Sequence, residues 1–153
     1  MYKRQLHNRL VDRIRQKDGL SYGIGAGLLV NGRDRAASWG VGAIAAPQNV
    51  NRVEQAVKEE LERVLRDGFT DEEIRLAKQG YRQERVLARS EDGSLAAGWV
   101  GNLDLDRTYE FARDFESRVD AVTAEQLLTV VRKYLDLSKM TIVVAGDSKK
   151  GAH

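Results

Sequence analysis

Gly19-Leu20-Ser21-Tyr22-Gly23-Ile24-Gly25-Ala26-Gly27-Leu28-Leu29-Val30-Asn31-Gly32-Arg33-Asp34 is the stretch on which the fold turns. Leu20–Val30 and Arg35–Ala46 both alternate small with bulky residues, and Asn31-Gly32-Arg33-Asp34 between them is a turn signal. The two runs therefore read as a β-hairpin. On the first strand Tyr22, Ile24, Ala26 and Leu28 share one face, and Gly23, Gly25 and Gly27 the other. On the second strand Trp39, Val41 and Ala43 oppose Gly40 and Gly42. A two-residue loop, at Asn31-Gly32 or at Gly32-Arg33, pairs even positions of one strand with odd positions of the other. All five glycines then fall on a single face of nearly bare backbone. Two uses are open for such a face. One is close helix packing or a barrel-like bend; the other is a flat wall beside which an extended peptide or another backbone lies. A nucleotide loop at Gly23-Ile24-Gly25-Ala26-Gly27 is excluded by context, because a phosphate loop leads from a strand into a helix N-terminus and here the strand continues.

Helices flank the hairpin. Residues 4–18 form an amphipathic helix with Leu6, Leu10 and Ile14 every four residues and Val11 widening the stripe. Arg15 and Lys17 lie in its last turn, where the helix dipole favours cations, and Gly19 is a natural C-cap. Pro47 ends the hairpin, and a long helix runs to Arg66 with Val50, Val53, Val57, Leu61 and Val64 as its apolar stripe. Asn51 with Glu54 resembles a capping box at its start, and Gly68 caps its end. Thr70 with Glu73 opens a further helix from Asp71 to Arg89, with Ile74, Ala77 and Tyr81 facing the core. Glycines at 93, 98 and 101 predict a helix broken by a turn up to Leu105. Tyr109–Arg118 is helical, with Phe111, Phe115 and Val119 apolar. Thr123 with Gln126 starts the last helix, through Leu127, Val130, Val131 and Tyr134. Met140–Ala145 is an apolar, β-branched run that suits a central, doubly buried strand. The fold class is α+β, with helices packed on a small, mainly antiparallel sheet.

The chain has 153 residues, enough for one domain, 1–153, with a core of its own. Its 25 basic and 23 acidic residues interleave, as on solvated helix faces. The one basic stretch, Lys3, Arg4, Arg9, Arg13, Arg15 and Lys17, has no interleaved aromatics, so nucleic acid is not an expected partner. Cysteine is absent, which excludes a disulfide framework, a thiolate metal site and a thiol nucleophile. No apolar run approaches the roughly twenty residues of a membrane span. The two histidines, His7 and His153, stand on the first helix and at the C-terminus, so neither zinc hydrolysis nor a Ser–His–Asp site has its ligands or base here. No G-x-S-x-G elbow occurs either, and the acid pairs Asp104/Asp106 and Glu91/Asp92 read as loop and cap residues.

One constellation is more specific. Arg15 leaves a helix end and Tyr22 enters a strand, so both side chains can converge on one opening. The segment from Arg9 to Gly23 that holds them resembles the arginine–tyrosine segment in the C-terminal half of pitrilysin-family metallopeptidases, which include insulin-degrading enzyme and the mitochondrial processing peptidase. Gly68-Phe69-Thr70-Asp71-Glu72-Glu73, followed by Ala77 and Lys78, resembles that family's G-x-T-x-E-E helix start. Val122-Thr123-Ala124-Glu125-Gln126 resembles its V-T-x-E-x start, and Thr141-Ile142-Val143-Val144-Ala145-Gly146-Asp147 its closing strand. Each motif is weak alone; four in order and at the right spacing are specific.

The resemblance implies a clamshell of two halves around a peptide substrate. The N-terminal half would carry zinc on an H-x-x-E-H motif, which is missing here, and this chain would supply no metal ligand. Tyr22 would stabilise the oxyanion and Arg15 would hold substrate backbone; the plainer alternative makes Arg15 a helix-end cation and Tyr22 a packed strand aromatic. A half of that family begins with strands ahead of the first helix. The resemblance thus implies a C-terminal portion truncated at its N-terminal strands, inactive alone, partnered by a zinc-binding half in the same chain or another, and able to self-associate through exposed sheet edges. A non-catalytic scaffold subunit of the same superfamily, and a free-standing peptide-binding module using the glycine face, are the other functional expectations. The parent's compartment is left open, with exported bacterial relatives favouring the periplasm.

Overall fold

The computed structural model describes residues 2–34 and 36–146, so Arg35, Asp147 and His153 lie outside it. The order is helix α1 (Tyr2–Leu10), continuing as a wider π-helical segment Val11–Lys17, then strands β1 (Ser21–Val30) and β2 (Ala37–Ala45), and a 3₁₀ turn Pro47–Asn49. Helices α2 (Val50–Asp67), α3 (Asp71–Ser90), α4 (Asp92–Asp104), α5 (Tyr109–Ala121) and α6 (Ala124–Tyr134) follow, and a 3₁₀ turn Leu137–Lys139 closes the series. The architecture is α+β, with helices packed on a two-stranded antiparallel sheet among the described residues.

The core forms where the predicted stripes meet. Leu6, Leu10 and Ile14 are fully buried and pack with Leu20, Ile24 and Ala26 of the hairpin, Val53, Ala56, Leu61 and Val64 of α2, Phe69, Ile74 of α3, and Leu127 and Val131 of α6. Each large aliphatic side chain buried in this way contributes about 1.5–3 kcal/mol. Thr70 and Thr123 each form the reciprocal capping box expected of them, accepting from the N–H of Glu73 and Gln126. Gly68 ends α2 at φ +71°, ψ −150°, a region that a Cβ disfavours, and a side chain there would also meet Leu128 at 3.2 Å.

Several expectations are corrected. Asn51 and Glu54 form no capping box; the Pro47–Asn49 turn leads directly into α2, and the Asn49 side chain accepts no bond from the first N–H groups of that helix. The glycines at 93, 98 and 101 do not interrupt α4, which is continuous but buries none of its residues. Helix α6 does run through Leu127, Val130, Val131 and Tyr134 as expected, with Leu127 and Val131 buried and Val130 and Tyr134 turned outward. The hairpin loop is longer than two residues: the Asn31 N–H bonds the Ala36 carbonyl at 3.2 Å, and Asn31 Oδ1 accepts from Arg33 N within the loop.

Met140–Ala145 is not a buried central strand. Thr141–Ala145 runs without strand pairing, and Ile142, Val143 and Val144 are 49%, 83% and 62% exposed. No second strand lies beside it among the described residues, and an apolar run becomes a central strand only when neighbours on both edges take up its backbone groups.

The first helix is locked to the third by a polar latch. Arg9 Nε and Nη2 bond the two carboxylate oxygens of Glu73 at 2.6 and 2.7 Å, and Nη2 also reaches the Gly68 carbonyl at 3.1 Å. Glu73 accepts in addition from Thr70 N at 2.7 Å, Gln5 Nε2 donates to the Glu73 carbonyl at 2.7 Å, and the guanidinium lies 5.0 Å over the Phe69 ring. Burial pushes the Glu73 carboxyl up, but the Arg9 and Thr70 hydrogen bonds and the Arg9 charge together outweigh it and hold the group below the ordinary glutamate range.

Candidate functional site

The π-helical segment brings Arg15 to the site. Asp18 N bonds the Arg13 carbonyl and Leu20 N the Ile14 carbonyl, each one step wider than or beyond an α-helical bond. Ile14 stays in the core while Arg15 faces solvent. Arg13, two residues earlier, is spent on structure: it pairs with Glu59 and Glu60 of α2 and approaches Asp18. Gly19, at φ +59°, then reverses the chain into β1, a left-handed turn that glycine adopts without a Cβ penalty.

At the start of β1 the register slips. Ser21 pairs with Ala45 and Gly23 with Ile44, so Tyr22 is an extra residue, a β-bulge. The expectation that Tyr22 shares the face of Ile24 and Ala26 is corrected by this bulge. Ser21 and Ile24 both face the core, at 7% and 8% exposure, and Tyr22 between them is turned out to 86%. It is not a packed strand aromatic.

Arg15 and Tyr22 line one shallow hollow with Gly19, Leu20, Ser21, Ile44, Ala45, Ala46 and Asn49. The two side chains that were expected to converge on one opening are thus placed on its rim. Neither the guanidinium of Arg15 nor the hydroxyl of Tyr22 has a hydrogen-bond or ion-pair partner among the described residues. Asn49 was not foreseen; its amide donates to the Leu20 carbonyl at 3.4 Å and ties the turn before α2 to the floor of the hollow.

The glycine face has the composition expected. Gly25 pairs with Gly42 and Gly27 with Gly40, and a Cβ on Gly23, Gly27, Gly40 or Gly42 would meet no atom within 4 Å. Only Gly25 has a neighbour, the His7 ring at 3.7 Å. Helix packing therefore does not account for this face among the described residues. It is an open wall continuing from Tyr22, with Leu29 and Ile44 exposed at its ends.

The zinc ion that the resemblance attaches to the parent peptidase does not fit this chain's residues. Among the described residues no group of three or more His, Cys, Asp or Glu side chains is gathered to hold a metal, and His7 sits beside Gly25 without companions of that kind.

The structure thus places helices on a hairpin, with an arginine and a tyrosine at one end of it and no metal-ligand cluster among the described residues. The family profile described as Peptidase M16 inactive domain matches residues 4–81. The chain belongs to that family, the C-terminal portion of the M16, or pitrilysin-type, peptidases. Among solved structures it is similar to a peptidase M16 inactive domain from Pseudomonas fluorescens, with TM-score 0.72 and 20% identity over 86% of this chain and 31% of that one. It is similar also to the periplasmic protease PqqL from Escherichia coli, with TM-score 0.71 and 19% identity over 88% of this chain and 15% of that one. A conserved protein from Enterococcus faecalis gives 0.67 and 21%, over 86% and 32% of the respective chains. At these identities the likeness is one of fold, and the chain spans at most about a third of each of the three. No curated protein matches it.

Proposed function

We propose that this domain forms the substrate-facing wall of a two-part peptidase, in which Arg15 holds the backbone of an extended peptide and Tyr22 donates a hydrogen bond to the oxyanion at the scissile carbonyl. The observation that carries this reading is the hollow itself: a cation and a phenol on one rim, both without internal partners. A fold that used them for stability would have paired or buried them. As the attacked carbonyl becomes tetrahedral its oxygen gains charge, and a donor already aimed at that position lowers the barrier because it need not reorganise. Arg15 contributes earlier, through charge-assisted bonds to peptide carbonyls that are equally present in ground and transition states. Metal chemistry belongs to the partner half in this reading, so the domain is inert alone.

The test is peptide cleavage by the whole protein. Arg15→Ala should raise KM about tenfold with a smaller change in kcat, the loss of one charge-assisted contact. Steady turnover of a quenched fluorescent peptide by this chain alone, in the presence of zinc, would overturn the reading; so would an Arg15→Ala enzyme with unchanged KM, which would leave a scaffold subunit.

Two apolar surfaces support a domain made to dock. Trp99, Val100 and Leu103 of α4 and Val143 and Val144 of the C-terminal run are each more than half exposed, and exposed apolar surface of this kind favours docking when it is contiguous. Each strand of the hairpin has one strand neighbour only among the described residues, and unpaired edges recruit other chains. Separated from its partner half, the domain is expected to self-associate. Sedimentation should show the average mass rising with concentration, and one monomeric species throughout a wide range would refute it.

A further inference from the structure

We infer that Ser21 is a positioning residue: its hydroxyl pins the bulge that turns Tyr22 out of the core and onto the open face. The inference rests on the reading of Tyr22 above only for its catalytic consequence.

From Gly23 to Val30 the pairing is regular, from Gly23 with Ile44 to Val30 with Ala37. Continued without interruption, that register would pair Tyr22 with Ala45. Tyr22 would then alternate with Ile24 and Ala26 and point at the core, and Ser21 would take the glycine face. The structure has the opposite arrangement, Ser21 inside and Tyr22 outside. Ser21 Oγ lies 2.8 Å from the Gly23 carbonyl and 2.8 Å from the Ile44 carbonyl, one on its own strand just past Tyr22 and one on β2. A hydroxyl carries one proton, which these two acceptors share. The contact closes around Tyr22 and spans both strands at the point where the register slips.

Bulges interrupt the ladder and leave groups without a strand partner, and a side chain small enough to fit beside Leu20 and Ile24 while donating to two carbonyls is a serine or a threonine. Alanine fits the space and loses the donor. The bulged register then loses its specific support, and the regular register, with Tyr22 drawn inward, gains population.

The experiment reads the exposure of Tyr22 directly, by nitration with tetranitromethane and mass spectrometry of the peptide that contains it. Tyr134, 74% exposed and far along the chain, is the internal reference. Ser21→Ala should slow nitration of Tyr22 several-fold relative to Tyr134, and Ser21→Thr should restore it. An unchanged rate in Ser21→Ala would overturn the inference. The unsubstituted chain gives a check that needs no variant: backbone NOEs between Ser21 and Ala45 are expected, and NOEs pairing Tyr22 with Ala45 would overturn it. In the whole peptidase Ser21→Ala should lower kcat more than it changes KM, with Ser21→Thr recovering most of the loss. Slowed nitration with an unchanged kcat would support the pin while overturning the oxyanion reading of Tyr22.

Discussion

With Tyr22 as the oxyanion donor proposed above, replacing it with phenylalanine is expected to lower kcat of the proposed two-part peptidase about a hundredfold and to leave KM within about twofold, the pattern of a contact made only in the transition state. The substitution is clean. The Tyr22 hydroxyl touches no partner among the described residues and the ring is 86% exposed, so removing one oxygen leaves no buried group unsatisfied. Thermal stability should therefore be unchanged, and a fall in rate can be assigned to the missing donor. Steady-state kinetics on matched preparations of the two enzymes checks it; an unchanged kcat would reduce Tyr22 to a surface residue of the hairpin.

Glu73→Ala should cost about 3 kcal/mol, near the lower end for breaking a buried ion pair. For a chain of this size that lowers Tm by about 6–12 °C. The Arg9 and Glu73 side chains are 14% and 26% exposed, so solvent screens them only in part. Removing the carboxylate strands the Arg9 guanidinium and opens the capping box at Thr70. The same group gives a pH dependence. Glu73 titrates below the ordinary glutamate value of about 4.3. Its contribution is therefore fully present above that value and is lost as pH falls through the folded-state value. Urea unfolding of the parent should weaken between neutral and acid pH by more than that of Glu73→Gln, which has no charge to lose. Parallel losses in the two proteins would show that the acid sensitivity lies elsewhere.

What was readable in the chain was local. The capping boxes at Thr70 and Thr123, the helix ends at Gly19 and Gly68, the Leu6-Leu10-Ile14 stripe and the alternation of glycines within each strand of the hairpin all depend on residues a few positions apart. Short-range hydrogen bonds and side-chain periodicity act on them before any tertiary contact exists. The placement of Arg15 and Tyr22 at one hollow was visible for a similar reason, since a helix end, a glycine turn and a strand start leave few ways to place two residues so close in sequence.

The rest depended on groups that meet only when the chain is folded. Arg9 and Glu73 are 64 positions apart, and nothing in either neighbourhood announces the other. Met140–Ala145 has the composition of a central strand, yet becoming one requires strands on both sides, and composition does not supply neighbours. Tyr22 shows the same division within one residue. Alternation assigns it to the core face, and one extra residue in β1, held by a serine hydroxyl between two carbonyls, sends it to the other. Local propensity and periodicity set which segments are helix and hairpin and which residues stand near the opening. Register, a property of two strands at once, decided which way the tyrosine points.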